Sequence, residues 1–228
     1  MKKMNFDRWC RTAWLKVSLI ITAVMECLVL FNWNTWSTPL KCVAAMAALV
    51  PIHATEEWIF PGGFAYQYNT FLNKSAHPLC YPMNRASDMV TVLGTTIMYA
   101  VLAVFFAVTG IAVPTGILLG AFCFSLLEIS VHTYFGIRAY LKFKPQGKTT
   151  IYGTGSMTAY VGFLPLAAVL LRQITAQGIT LVDIGFCVAV LGVTSILVFV
   201  PEAKFKDERS PYAYSTSGYY ERFNASTF

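Results

Sequence analysis

The sequence predicts an all-α fold, a polytopic helical membrane bundle of about six transmembrane helices with both termini cytoplasmic. Three observations predict it. The first is composition: 56% of the 228 residues are hydrophobic and only 12% are charged, about half the charged share of a soluble globular domain. The second is patterning, because the apolar residues gather into six runs, and a bilayer-spanning helix needs about 20 such residues. The third is charge placement. Fifteen of the seventeen Lys and Arg fall in segments that six crossings would leave on one side. Lys and Arg collect in cytoplasmic loops of membrane proteins.

The first run covers residues 13–31 behind the basic segment Met1-Lys2-Lys3 to Lys16. No small-residue cleavage site comes after it, so it reads as an uncleaved span ending in the aromatic belt Trp33 and Trp36. The second run covers 40–60, and Pro61-Gly62-Gly63 stops it. The third and fourth, 89–109 and 111–135, are joined around Gly110 with Pro114 early in the fourth, as in a helical hairpin with little loop. The fifth, 157–171, is short unless it starts near Thr150, and Pro165 is expected to bend it. The sixth is 179–200. Three parts result: a cytoplasmic N-terminal segment 1–12, a membrane domain 13–200, and a polar tail 201–228 expected to lack order.

The basic residues test the count of spans. Lys2, Lys3, Arg8, Arg11 and Lys16, then Lys74 and Arg85, then Arg138, Lys142, Lys144 and Lys148, then Lys204, Lys206, Arg209 and Arg222 share one side if there are six spans. Only Lys41 and Arg172 fall opposite. Five spans would place the last four on the wrong side. The net charge of +6 is thereby a matter of topology, and no nucleic-acid partner is expected. The six cysteines form no C-x-x-C pair, so no zinc ribbon or disulfide framework is expected.

Ionisable residues within apolar spans are costly and usually functional. The second run ends His53-Ala54-Thr55-Glu56-Glu57, and residues at i, i+3 and i+4 share a helix face. Glu128 and His132 have the same spacing near the end of the fourth. His77, the third and last histidine, lies in the loop on the same side. All three histidines therefore fall in one membrane layer, with carboxylates beside them. Glu56 and Glu57 are adjacent carboxylates in an apolar layer, so one is expected to stay protonated or both to face a cation.

Imidazole and carboxylate together form a ligand set for zinc or iron, and bundle proteins hold metals with i, i+3 pairs on facing helices. The expected ligands are His53, Glu56, His77 and His132, with Glu57 or Glu128 as a further ligand or general acid/base. The expected cofactor is a divalent metal. The expected partners are membrane lipids and a hydrophobic or lipid-like substrate, undergoing hydrolysis or oxidation at a bacterial inner membrane. The rival classes are a small proton- or metal-coupled carrier and a non-catalytic membrane subunit. Against the carrier, the groups gather at one side and no inverted repeat is visible. Of the remaining polar residues, Glu26 reads as an interhelical hydrogen-bonding group, Asp183 as a helix cap or interfacial residue, and Asp88 as a helix cap after Ser87. Tyr152-Gly153-Thr154-Gly155 reads as a tight turn before the fifth span.

At these residues the chain resembles the HXXEE family of integral membrane proteins. The resemblance rests on His53-x-x-Glu56-Glu57, the Pro61-Gly62-Gly63-Phe64 turn, Asn69, Asn73-x-x-x-His77-Pro78, Glu128-x-x-x-His132 and Tyr152-x-x-Gly155, and covers roughly residues 45–170. Glu128 stands where relatives are expected to carry an amide, and Thr154 where proline is expected. The resemblance implies a site at these residues and names no reaction. The Glu-Glu-x-x-x-Arg motif of membrane CAAX-type proteases is not met, because Pro61 stands at that spacing from Glu57.

Overall fold

The computed structural model describes residues 6–224. Lys2, Lys3 and the last four residues of the expected tail lie outside the described residues. Six long helices form the molecule: α1 (Trp14–Phe31), α2 (Thr38–Trp58), α3 (Arg85–Thr109), α4 (Thr115–Phe143), α5 (Ser156–Gln177) and α6 (Leu181–Phe205). Among the described residues there is no strand. All six helices are long and apolar enough to cross a membrane. Their outward faces carry exposed Leu30, Val108, Leu181, Val188 and Phe199, an apolar surface that only another apolar medium would cover.

Local chemistry sets the ends. Ser37 caps α2, its side chain accepting from the Leu40 amide, with Pro39 in the first turn where no N–H is missed. Asn84 caps α3 in a reciprocal box with Ser87. Asp88 is therefore one turn inside the helix, not its cap. Gly110 ends α3 at φ 68°, and Pro114 precedes α4. The fourth helix runs eight residues beyond the apolar stretch because Tyr140, Leu141 and Phe143 continue an amphipathic face past the first basic residues. Thr180 and Asp183 form the box that starts α6, so Asp183 is a capping residue as expected, and its second oxygen accepts from the Gly116 amide at 2.9 Å. The fifth helix begins at Ser156, and a π-helical turn over Ala159–Phe163 absorbs the lost N–H of Pro165.

α2 lies at the centre. It packs on α1, α3, α4 and α5, while α6 closes the bundle against α3 and α4. Met46, Ala47, Tyr99, Leu118 and Phe163 are fully buried among these helices. Glu26 points outward from α1 and, among the described residues, makes no hydrogen bond, so the expected interhelical bond is not formed.

The tail corrects an expectation. Residues 206–224 are folded back across the end of the bundle. Tyr214 N donates to Leu79 O at 2.8 Å, and Tyr219 N donates to Gly62 O at 3.0 Å. Tyr220 and Phe223 join Tyr66, Phe71, Phe135 and Phe143 in a second apolar cluster. The tail reads as polar by counting, but its aromatic rings bury area enough to order it. Phe6 packs on Phe205 and Tyr212. The two described ends of the chain therefore meet at one face, together with the loops after α2 and α4.

Candidate metal centre

The centre is built by two helices and one turn. His53 and Glu57 project from the last turns of α2, one turn apart on one face. Glu128 and His132 project from α4 with the same spacing. His53 Nε2 lies 3.4 Å from Glu57 Oε1 and 3.4 Å from Glu128 Oε2. His132 Nε2 lies 3.3 Å from Glu57 Oε1 and 3.5 Å from Glu128 Oε2. The two imidazoles meet edge to face, 4.7 Å between centroids. His53, Glu57 and His132 are all buried, with one ligand atom from each within 4.8 Å of the others. Glu128 Oε2 stands beside this group, within 3.5 Å of both Nε2 atoms.

The outer nitrogens fix the tautomers. His132 Nδ1 lies 2.8 Å from the Thr154 carbonyl oxygen, which only accepts, so Nδ1 carries the proton. His53 Nδ1 lies 2.6 Å from Thr158 Oγ1. That hydroxyl donates to Glu56 Oε2 at 2.6 Å, so it accepts from His53. In the neutral rings both Nε2 atoms thus turn a lone pair toward the common point. Neither Nε2 has a hydrogen-bond partner, although both are buried. Buried polar atoms are nearly always satisfied, and an orienting bond on the far nitrogen is the usual companion of a metal-bound histidine.

The donor set fits a divalent cation on distance and on charge. His53 Nε2, Glu57 Oε1 and His132 Nε2 lie close enough to share one cation, with nitrogen–oxygen separations of 3.3–3.4 Å, and imidazole with carboxylate is the donor chemistry of a zinc site. Two carboxylates and two neutral imidazoles balance a charge of two, which buried carboxylates require.

Glu56 and His77 depart from the expected ligand set. Glu56 faces away from the cluster. Its Oε1 accepts from Tyr152 Oη at 2.9 Å and the Met157 amide at 3.0 Å, and its Oε2 accepts from the Thr158 amide at 2.8 Å and from the Thr158 hydroxyl. Four donors occupy its four lone-pair sites. It clamps the start of α5 to α2, and through Thr158 it orients His53. The two adjacent carboxylates avoid repulsion by pointing to different partners. Glu57, and not Glu56, faces His53 and His132.

His77 is half-exposed in the loop and lies 3.6 Å from Glu208 of the tail. Asn69 causes this. Its amide donates to Pro78 O and Met83 O, and its oxygen accepts from the Met83 amide, which sets the course of the loop. Cys80 Sγ donates to Glu208 O and Tyr214 N donates to Leu79 O, which joins that loop to the tail. The structure does not bring His77 to the cluster of His53, Glu57 and His132.

The turn Tyr152-Gly153-Thr154-Gly155 supplies what sequence reading did not assign. Tyr152 and Thr154 bond Glu56 and His132 as described, and burial beside the Glu56 carboxylate pushes the Tyr152 phenol up, so it stays a donor. Gly155 stands at φ 85° directly against the His132 ring, where a Cβ would collide with the imidazole. Thr158 gave no signal beyond its position at the start of the fifth span.

The outer hydrogen bonds carry an expected result. Thr158→Val and Glu56→Gln both keep the inner side chains; Thr158→Val removes the acceptor of His53 Nδ1, and Glu56→Gln weakens the bond that orients that acceptor. Each should weaken binding of zinc by about 10- to 100-fold, the usual cost of an outer partner, in a titration against a competing chelator.

Comparison with curated proteins and with solved structures returned no match. A family model described as protein of unknown function with HXXEE motif matches residues 43–170. That span holds His53, Glu56, Glu57, Glu128, His132 and the 152–155 turn, and it leaves out the tail. The residues that give the motif its name divide between an inner pair, His53 and Glu57, and the outer clamp Glu56, and the chain belongs to the HXXEE family.

Proposed function

We propose that this protein is a multi-pass membrane enzyme with a divalent metal, zinc or iron, held by His53, Glu57 and His132. It acts on a hydrophobic or lipid-like substrate. The carrying observation is the pair of buried Nε2 atoms that form no hydrogen bond and face the Glu57 and Glu128 carboxylates at 3.3–3.5 Å. A bound metal of this kind activates water or dioxygen, or polarises a carbonyl. Glu128 is the more exposed carboxylate of the pair, at 20% of its side chain against 7% for Glu57. It lines the adjoining cavity, and it serves as general acid/base toward bound substrate. Two-histidine, one-carboxylate sets are used by zinc hydrolases and by iron oxygenases.

The cavity supports the substrate class. It encloses about 190 Å³ and is walled by Val50, Val92, Phe124, Val131, Phe163 and Val198 beside the site. The positive-inside excess supports a cytoplasmic position for the face bearing both chain ends, and a bacterial inner membrane is the proposed location.

The test is turnover of membrane lipid extract by purified protein, read by mass spectrometry. Product should form with the wild type, stop on chelation and return with zinc or ferrous iron. Product formation that chelation and Glu128→Gln both leave unchanged would refute the reading.

A further inference from the structure

The cavity beside the site has a second polar end. Asp88, in the first turn of α3, lines it and is 2% exposed. Its carboxylate accepts a short hydrogen bond from the Tyr214 hydroxyl of the tail. Among the described residues no Lys or Arg lines the cavity. A buried carboxylate facing a neutral phenol is costly unless a cation or strong donor completes it. Trp58 roofs this end, stacked on Tyr214 at 4.8 Å between centroids.

The cavity also reaches the outer surface. Leu72 and Leu127 line it and are 53% and 55% exposed. Leu127 belongs to the apolar face that α4 would turn to lipid, and Leu72 ends the helical turn in the loop after α2. At about 190 Å³ it is smaller than the ~300 Å³ at which drug-sized pockets begin, so it can hold the head of an amphiphile while the tail passes out beside these two leucines.

From this geometry we propose that the cavity binds amine-bearing amphiphiles. The ammonium pairs with Asp88, and the chain leaves laterally past Leu72 and Leu127. The head then lies along the wall shared with His53, Glu57 and Glu128. The inference rests on the metal-enzyme reading only for the fate of the bound amphiphile; Asp88 and the opening stand without a metal.

The probes are dodecylamine, dodecanol and dodecanoate, titrated below their micellar concentrations into full-length protein in nanodiscs, with Trp58-dependent fluorescence as the readout. Dodecylamine should bind saturably, with dodecanol at least about tenfold weaker and dodecanoate weaker still, as a charge-assisted bond in a buried site implies. Asp88→Asn should remove that preference without changing metal content. Leu127→Trp, which narrows the opening and leaves Asp88 intact, should weaken all three. Equal binding of the three probes, or an unchanged preference in Asp88→Asn, would overturn the proposal. Repeating the titration after chelation separates the two ideas. Amine binding that persists in a protein that never holds metal would uphold this inference and sink the enzyme reading, and loss of amine selectivity in a metal-binding protein would do the reverse.

Discussion

Glu57→Gln should empty the metal site, whereas Glu128→Gln should leave it filled and stop turnover. Glu57 is wedged between both Nε2 atoms and is nearly inaccessible. Glutamine at 57 keeps the volume and removes the charge. The fall in metal affinity should exceed the ~100-fold upper cost of losing an outer partner. Glu128 is more exposed, at 20% of its side chain against 7%, so its neutral analogue should spare the metal and remove the acid/base. His132→Ala should go further. It leaves two buried carboxylates with one imidazole in place of two, and breaking a buried ionic contact costs about 3–5 kcal/mol. Metal analysis of detergent-purified variants, with thermal unfolding of the metal-free forms, reads all three. Equal metal content in wild type and Glu57→Gln would contradict the ligand assignment.

Gly155→Ala should damage stability and site together. At φ 85° an L-residue is strained, at about 1–3 kcal/mol for such backbone. The added methyl must also displace the His132 ring and with it the bond to Thr154 O. Gly110→Ala is the matched control, since Gly110 has a similar left-handed backbone at φ 68° with nothing near its Cβ position. Both variants should unfold at lower temperature, but only Gly155→Ala should lose metal affinity, by at least about tenfold. If both retain it fully, the contact between Gly155 and the imidazole does not position the ligand.

Much of the fold was legible in the sequence, for a physical reason. Helices that bury no water write their length directly into hydropathy, so six runs predicted six helices, with edges displaced by a few residues where caps such as Asn84 and Thr180 lie outside the apolar stretch. The spacing of His53 with Glu57 and of Glu128 with His132 placed each pair on one face, and an even number of parallel-running spans brought the pairs to the same depth. Spacing could not separate Glu56 from Glu57. Both fit a shared face with His53, and only the position of Thr158 and Tyr152, about a hundred residues on, shows that Glu56 is already saturated. His77 failed for a related reason: depth is shared by everything at one face, but direction in a loop is set by remote bonds such as those of Asn69. The tail was misread because serine and tyrosine count as polar, while Tyr214 and Tyr220 bury their rings and hand their hydroxyls to Asp88 and Gln67.

The central claim is that His53 and Glu57 of α2 and His132 of α4 hold one divalent metal, with Glu128 beside it. X-ray absorption at the metal edge of the protein loaded with zinc tests it most directly. The account predicts a first shell of nitrogen and oxygen only, at about 2.0–2.2 Å, with outer scattering from two imidazoles that falls to one in His132→Ala. A shell containing sulfur, a spectrum without imidazole scattering, or one that His132→Ala leaves unchanged would contradict it.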